Sequence, residues 1–170
     1  GIRLAFVPED RLGMGLVSSM GMTDNMMLRS YRHGHGFFSE RKQPRELAET
    51  IMKELEVVTP SVEWPVGRMS GGNVQKVLVG REISSSPQVL MVAYPVRGLD
   101  INSSYTIYHL LNEQKKKGSA VICVGEDLDV LLALCDRILV LADGKISGIV
   151  DVGLLMTNHG YREADKEAEA

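Results

Sequence analysis

The chain has 170 residues, 44% hydrophobic and 24% charged, which is apolar content enough for one sizeable core. Its net charge of −3 offers no basic field of the kind that a phosphate backbone requires, so no nucleic-acid partner is expected. No apolar run approaches the roughly 20 residues that span a bilayer and no charged-then-apolar leader opens the chain, so any membrane association is expected to be peripheral.

Residues 1–7 read as a core strand with no capped beginning, as expected of a segment from within a longer chain, and the strand stops at Pro8-Glu9-Asp10. From Met14 to Phe38 the sequence is rich in methionine, glycine and polar residues, and its weak periodicity predicts short helical pieces and loops. Pro44 fits the first turn of an amphipathic helix over about 44–56, with Leu47, Ile51 and Leu55 on one stripe and Ala48 and Met52 widening it. After a connector at Trp64-Pro65-Val66-Gly67, Ser70 can cap a second helix running to about Ser84, with Val74, Val77 and Leu78 on a shared face.

Val89–Ala93 is a short continuous apolar run of the kind found in parallel strands covered on both faces. A third helix over about 101–117 is expected to bury Ile107, Leu110 and Leu111, and it ends in Lys115-Lys116-Lys117-Gly118, where a helix C-terminus favours positive charge and glycine. Ala120–Val124 follows as a strand, Asp127–Leu134 as a short helix and Arg137–Leu141 as a strand. The Asp143-Gly144 turn then leads into 145–150, and a charged, alanine-rich tail from Tyr161 is expected to fray. Alternating strands and helices argue an α/β fold with a mostly parallel sheet. Cys123 and Cys135 sit in apolar runs and are expected to be buried thiols, since their spacing fits no zinc pattern.

The strongest chemical signal is Met69-Ser70-Gly71-Gly72-Asn73-Val74-Gln75-Lys76, which opens a helix. Glycines let backbone approach a ligand closely, and a helix N-terminus presents free N–H groups and partial positive charge, which suits a phosphate. Taken alone, such a stretch is more often an ordinary capped helix start. Its place in the chain changes that weighting. Together with Phe6-Val7-Pro8-Glu9-Asp10-Arg11 before it, and with Tyr94-Pro95-Val96-Arg97-Gly98-Leu99-Asp100, Glu126-Asp127-Leu128-Asp129 and Cys135-Asp136-Arg137-Ile138 after it, the sequence resembles ATP-binding cassette (ABC) ATPases over nearly its whole length.

The resemblance is nearest to the second cassette of the tandem ATPases that serve simple-sugar and nucleoside importers; Val152-Gly153-Leu154-Leu155-Met156 is similar to the end of the nucleoside type. It implies an incomplete P-loop NTPase fold: a core strand and Q-loop-like segment (1–12), an inserted α-helical signature subdomain (13–86), the C-terminal part of the α/β core (87–152) and a tail (153–170). The implied cofactors are ATP and Mg2+, shared with a partner cassette. The implied partners are that second cassette, upstream in the same full-length chain, and transmembrane permease subunits on the cytoplasmic side of the membrane.

Departures from the family pattern bear on chemistry. No Gly-x-x-x-x-Gly-Lys-Ser/Thr stretch occurs, so the chain cannot cradle nucleotide phosphates in the usual way. The family's magnesium-associated aspartate falls on Ala93, its catalytic glutamate on Tyr94 and its histidine on Glu126, so this fragment alone is expected to be inactive. The signature in such dimers serves the opposite cassette. Ser70, Gly71, Gly72 and Asn73 are therefore expected to complete a partner's ATP site, with Asp100 as the D-loop aspartate crossing the same interface. Glu9 stands at the Q-loop glutamine position, where an ordinary solvated loop carboxylate is the simpler alternative.

Met20, Met22, Met26 and Met27 could form an adaptable surface for a permease or could fill the core. His33 and His35 read as exposed loop histidines rather than a metal site. Two other functions compete with an importer subunit: a non-hydrolytic regulatory or interaction module of cassette shape, and a soluble cassette ATPase of DNA repair or translation, which the acidic composition disfavours.

Overall fold

The computed structural model describes residues 1–30 and 41–152, in two compact units, Gly1–Val124 and Gly125 onward. The first unit contains a three-stranded sheet of β1 (Leu4–Val7), β2 (Val89–Ala93) and β3 (Ala120–Val124). All are parallel, in the order β1-β2-β3, with Ala5 opposite Leu90 and Val121, and Val7 opposite Val92 and Cys123. β1 and β2 are direct neighbours although the whole helical insertion lies between them in sequence. That insertion holds α1 (Met22–Ser30), α2 (Lys42–Glu54) and α3 (Gly71–Ser84), while α4 (Ile101–Lys116) is the crossover between β2 and β3. Parallel strands require such crossovers, because a tight turn can only reverse the chain.

One face of this sheet makes the core. Ala5, Val7, Leu90 and Val92 are buried together with Val74, Val77 and Leu78 of α3 and Ile107 and Leu111 of α4, and Leu110 is only half-buried. α3 packs on β1 and α4, and α4 packs on β3. The opposite face carries Leu4, Phe6, Ile122 and Val124, all exposed, and half-buried Met91. The 89–93 run, expected to be covered on both faces, is thus buried on one and half-buried on the other. An unbroken apolar run signals a doubly apolar strand, but not what stands against each face.

The helices follow from their sequences. α2 buries Pro44, Ala48 and Ile51, whereas Leu47, Met52 and Leu55 of the expected stripe are only half-buried. α3 is buried nearly all round, including Gln75, Arg81 and Glu82, because it lies at the centre of the insertion with α2, α4, β1 and the turn at Arg11–Gly15 about it. Its polar core is paired. Glu82 Oε1 accepts from Arg81 Nε at 2.9 Å and from Arg29 Nε at 3.1 Å, and Arg81 Nη2 donates to the Gly15 carbonyl at 2.7 Å. Burial holds the Arg81 guanidinium below its usual range despite the neighbouring Glu82.

The described part of the methionine-rich stretch contains the nine-residue α1, and its buried methionines are Met22 and Met26, at 0% and 2% exposure. Those two are core residues, not a surface patch; only Met20 is exposed, with Met27 half-buried. His33, His35 and the tail from residue 153 lie outside the described residues. Cys123 and Cys135 are half-buried thiols rather than fully buried ones.

The second unit contains α5 (Leu128–Leu134), β4 (Arg137–Ala142) and β5 (Lys145–Asp151). β4 and β5 pair antiparallel, so the last two strands depart from the parallel pattern that strand–helix alternation suggested. The cause is local. Asp143 and Gly144 have φ of 49° and 73°, the doubly left-handed turn whose twist joins two antiparallel strands with two residues.

Among the described residues, no helix is long and apolar enough to cross a membrane.

Candidate functional site

Three segments meet at the carboxyl ends of β1 and β2, where open parallel sheets place their ligands. They are the loop after β1 (Pro8–Arg11), the start of α3, and the loop Tyr94–Asp100 after β2. The structure brings Glu9, the Ser70–Asn73 turn and Asp100 to this one end through a connected set of polar contacts.

Ser70 is the N-cap of α3, extended at φ −65° and ψ 156°, as its hydroxyl and position predict. Its Oγ accepts from Asn73 N at 3.4 Å and from Asn73 Nδ2 at 2.9 Å. Asn73 Oδ1 in turn accepts from Val58 N at 3.0 Å, which fixes the side chain that holds the serine. Ser70 and Gly71 are exposed, whereas Gly72 is buried.

The two glycines differ in what they allow. A Cβ on Gly72 would stand 2.2 Å from Ser103 Oγ, 2.9 Å from Ser103 Cβ and 3.3 Å from Asp100 Oδ2, so the bare Cα lets α3 and α4 approach at their N-termini. A Cβ on Gly71 would find only Arg11 Nη1 at 3.5 Å and Leu99 Cδ2 at 4.0 Å, which is ordinary contact. Internal packing explains Gly72. It leaves Gly71 without a reason among the described residues.

Asp100 caps α4: Oδ1 accepts from Ser103 N at 2.9 Å and Oδ2 from the Ser103 hydroxyl at 2.6 Å. The hydroxyl first, and then the backbone N–H, hold the carboxyl below its ordinary value of 3.8. Asp100 is exposed and next to the buried Gly72, so the two helix starts form one surface. Glu9 is an exposed loop carboxylate in an ion pair with Arg97.

Ala93 closes β2 and Tyr94 follows at φ 49°, a left-handed conformation that costs a bulky residue about 1–3 kcal/mol. The backbone there is tied down, with Tyr94 N donating to the Val124 carbonyl at 2.8 Å, and Arg97 lies 5.5 Å over the tyrosine ring. Neither Ala93 nor Tyr94, at the positions expected to hold magnesium and orient water, offers a carboxylate to a hard cation. Glu126 falls in the second compact unit.

Sequence reasoning assigned no role to Arg11, Gln75, Arg97 or Ser103. Arg11 Nε donates to Gln75 Oε1 at 2.8 Å, and its Nη2 donates to the Arg97 carbonyl. Gln75 is 1% exposed and passes the connection on, its Nε2 donating to the Pro95 carbonyl at 2.8 Å. Partial burial lowers the Arg11 pKa. Arg11, Gln75 and Arg97 all lie inside the quoted motifs, which was the available signal; their partners are distant in sequence.

A parallel sheet whose first two strands are separated by an insertion that is helical in its described elements, with a Ser-Gly-Gly helix start at the carboxyl ends of those strands, is the architecture of an ABC ATPase cassette. Solved structures agree. The ATP-binding cassette MJ0796, in a dimer bound to ADP and Pi, matches with a TM-score of 0.73 at 22% identity, over 89% of this chain and 63% of that one. CbiO1 from Clostridium perfringens, part of the ABC transporter complex cbiONQ, matches with a TM-score of 0.69 at 18% identity, over 91% and 59%.

No protein-family model matches the chain. By sequence, its homologues are ATP-binding proteins of ABC sugar importers. It is 39% identical over 145 residues to the xylose import ATP-binding protein XylG of Moorella thermoacetica, covering 85% of this chain and 29% of that protein. It is 40% identical over 149 residues to the ribose import ATP-binding protein RbsA of Rhodopirellula baltica, covering 87% and 29%. To the galactose/methyl galactoside import ATP-binding protein MglA of Vibrio cholerae it is 34% identical over 150 residues, covering 86% and 30%. The chain therefore spans less than a third of the length of these relatives.

Proposed function

We propose that this chain is the signature-bearing part of the ATP-binding, energy-coupling subunit of an ABC importer for a simple sugar or nucleoside. In this reading Ser70, Gly71, Gly72 and Asn73 complete an ATP site whose P-loop and catalytic carboxylate belong to a second cassette, upstream in the same full-length chain. Asp100 crosses that interface beside them, and Glu9 belongs to the segment that faces the permease. The organisation into a first core segment (1–12), a helical signature subdomain (13–86), the core (87–152) and a tail (153–170) goes with it, as does a place on the cytoplasmic side of the membrane.

The observation that carries the reading is the difference between the two glycines. Gly72 is demanded by Ser103, but Gly71 is exposed and a Cβ there would meet no described atom closer than 3.5 Å, so its missing side chain serves something that arrives from outside. The first N–H groups of a helix have no intrahelical partner and carry partial positive charge, and the exposed Ser70 hydroxyl stands beside them, which fits a nucleotide phosphate. ATP and Mg2+ are thus held chiefly by the partner. When bound, they supply the phosphoryl group and the charge neutralisation; this chain contributes preorganised donors.

Ala93 and Tyr94 favour a second reading for the chain taken alone, a non-hydrolytic module of cassette shape that binds only protein partners. The two separate in the reconstituted full-length transporter. Replacing Gly71 by Arg should block backbone approach and cut transport-linked hydrolysis by about 100-fold, the scale for removing a preorganised oxyanion donor, while ATP capture without magnesium changes little. Equal loss of binding and turnover, or loss of neither, would overturn the importer assignment of this turn.

A further inference from the structure

Gly72 packs the Ser70–Gly72 turn against Ser103 and Asp100. The turn's own cap bonds, from Asn73 to the Ser70 hydroxyl and from Val58 N to Asn73 Oδ1, fix its shape but tie it to neither of the loops beside it. Those loops come from elsewhere in the chain, after β1 and after β2. One side chain touches both and the helix as well. The guanidinium of Arg11, half-buried, gives Nε to the buried Gln75 one turn into α3, gives Nη2 to the Arg97 carbonyl, and leaves Nη1 at 3.5 Å from the Cβ position of Gly71. Gln75 completes the ring by donating to the Pro95 carbonyl, and Glu9, two residues before Arg11, pairs with Arg97.

We propose that Arg11 is a positioning residue for the signature turn, setting where the Ser70–Gly72 donors stand relative to the Leu99–Asp100 loop by bracing α3, the loop after β1 and the loop after β2 against one another. This inference rests on the reading that the turn meets a partner's nucleotide. Arginine suits the task because its planar fork serves two acceptors on different segments at fixed angles, which a lysine's single ammonium cannot do. Removing it also leaves the Oε1 of Gln75, a side chain 1% exposed, without its donor, so the first turn of α3 must shift or take in water. Preorganised donors lose effect steeply with displacement, so a small shift is enough to matter.

The test uses the full-length protein with both cassettes and its permease, comparing Arg11→Met and Arg11→Lys with the unaltered protein. Arg11→Met should lower kcat for ATP hydrolysis by roughly 10- to 100-fold, the range for a displacement near 1 Å, with KM for ATP changed less than about twofold. Arg11→Lys should fall between, and it decides the matter alone if the methionine variant does not fold. A second readout needs no nucleotide: amide hydrogen exchange over residues 70–76 should accelerate by about tenfold, while exchange in 89–93 stays unchanged. Turnover and exchange both at the unaltered level, or kcat and ATP binding falling together, would overturn the proposal. Gly71→Arg is run in parallel. If it leaves hydrolysis intact, the reading of the turn has failed; if it abolishes hydrolysis while Arg11→Met does not, only the bracing role has failed.

Discussion

Gly71 and Gly72 are adjacent and chemically identical, yet the structure assigns them opposite tolerances to a methyl group. At Gly72 an alanine Cβ would lie 2.2 Å from Ser103 Oγ and 2.9 Å from Ser103 Cβ, and neither atom can retreat freely, because the Ser103 hydroxyl is committed to Asp100 at 2.6 Å. Either the N-terminus of α4 moves or the Asp100 cap breaks. Overpacking of this kind costs about 1–3 kcal/mol, and alanine returns up to about 1 kcal/mol through better helix propensity, so Gly72→Ala should lose about 1–2 kcal/mol net. At Gly71 the nearest atom is 3.5 Å away and φ is not in the left-handed region, so only the propensity gain remains and Gly71→Ala should be neutral or stabilising by up to about 1 kcal/mol. The predicted gap between the variants is about 2 kcal/mol, or roughly 4–8 °C in Tm for a chain of this size. Urea unfolding followed by the fluorescence of Trp64, the single tryptophan and a member of the first unit, measures it directly. Equal destabilisation by both substitutions, or a stable Gly72→Ala, would refute the steric argument and, with it, the reason for assigning Gly71 to an external ligand.

Glu82 is 1% exposed between Arg81 and Arg29, so Glu82→Gln should cost about 3 kcal/mol, the lower end for breaking a buried pair, because Arg29 is half exposed and Arg81 keeps the Gly15 carbonyl. The double variant Arg81→Met/Glu82→Met should recover most of that loss in the same urea assay, and an unchanged midpoint for Glu82→Gln would count against a buried pair. For Asp100 the sign follows from a carboxyl held below its ordinary value of 3.8 by Ser103: the folded state is favoured by the ionised form above that value, and the contribution is lost as pH falls through the lower folded value. Ser103→Ala should therefore raise the Asp100 pKa, seen by NMR titration, and its stability deficit at pH 7 should shrink below about pH 4; an Asp100 that titrates at 3.8 or above in the unaltered protein would contradict this.

Much of the local architecture was legible without coordinates. Ser70 caps the helix it precedes, since a short side chain with an acceptor ahead of an apolar-periodic run has one favourable use; the same use of Asp100 and Asp127 came only with the structure. The strands 89–93 and 120–124 and the Asp143-Gly144 turn were readable for the same reason: strand pairing and left-handed turns rest on the residues' own conformational preferences. The absence of a P-loop and of carboxylates at 93 and 94 needed only the letters of the sequence.

Two kinds of fact lay beyond the sequence. The bounds of the helix Met22–Ser30, expected only as one of several short helical pieces, were hidden because its buried face includes polar residues, which erase an apolar period: Thr23 and Asn25 are fully buried, and Asn25 Nδ2 donates to the Gly21 carbonyl at 2.9 Å while its Oδ1 accepts from Val17 N at 2.8 Å. Such partners exist only once the chain has folded around them. The second kind concerns distance along the chain. Periodicity shows that residues 89–93 are apolar, but whether a strand is covered depends on what packs from elsewhere, and here one face meets α3 and α4 while Leu4, Phe6, Ile122 and Val124 on the other stay exposed. The candidate site divides in the same way. Ser-Gly-Gly at the start of a helix was local chemistry and readable, whereas Arg11 reaching Gln75 across 64 positions, and Gly72 being required while Gly71 is open, are properties of side chains that only the tertiary structure brings within a few ångströms of one another.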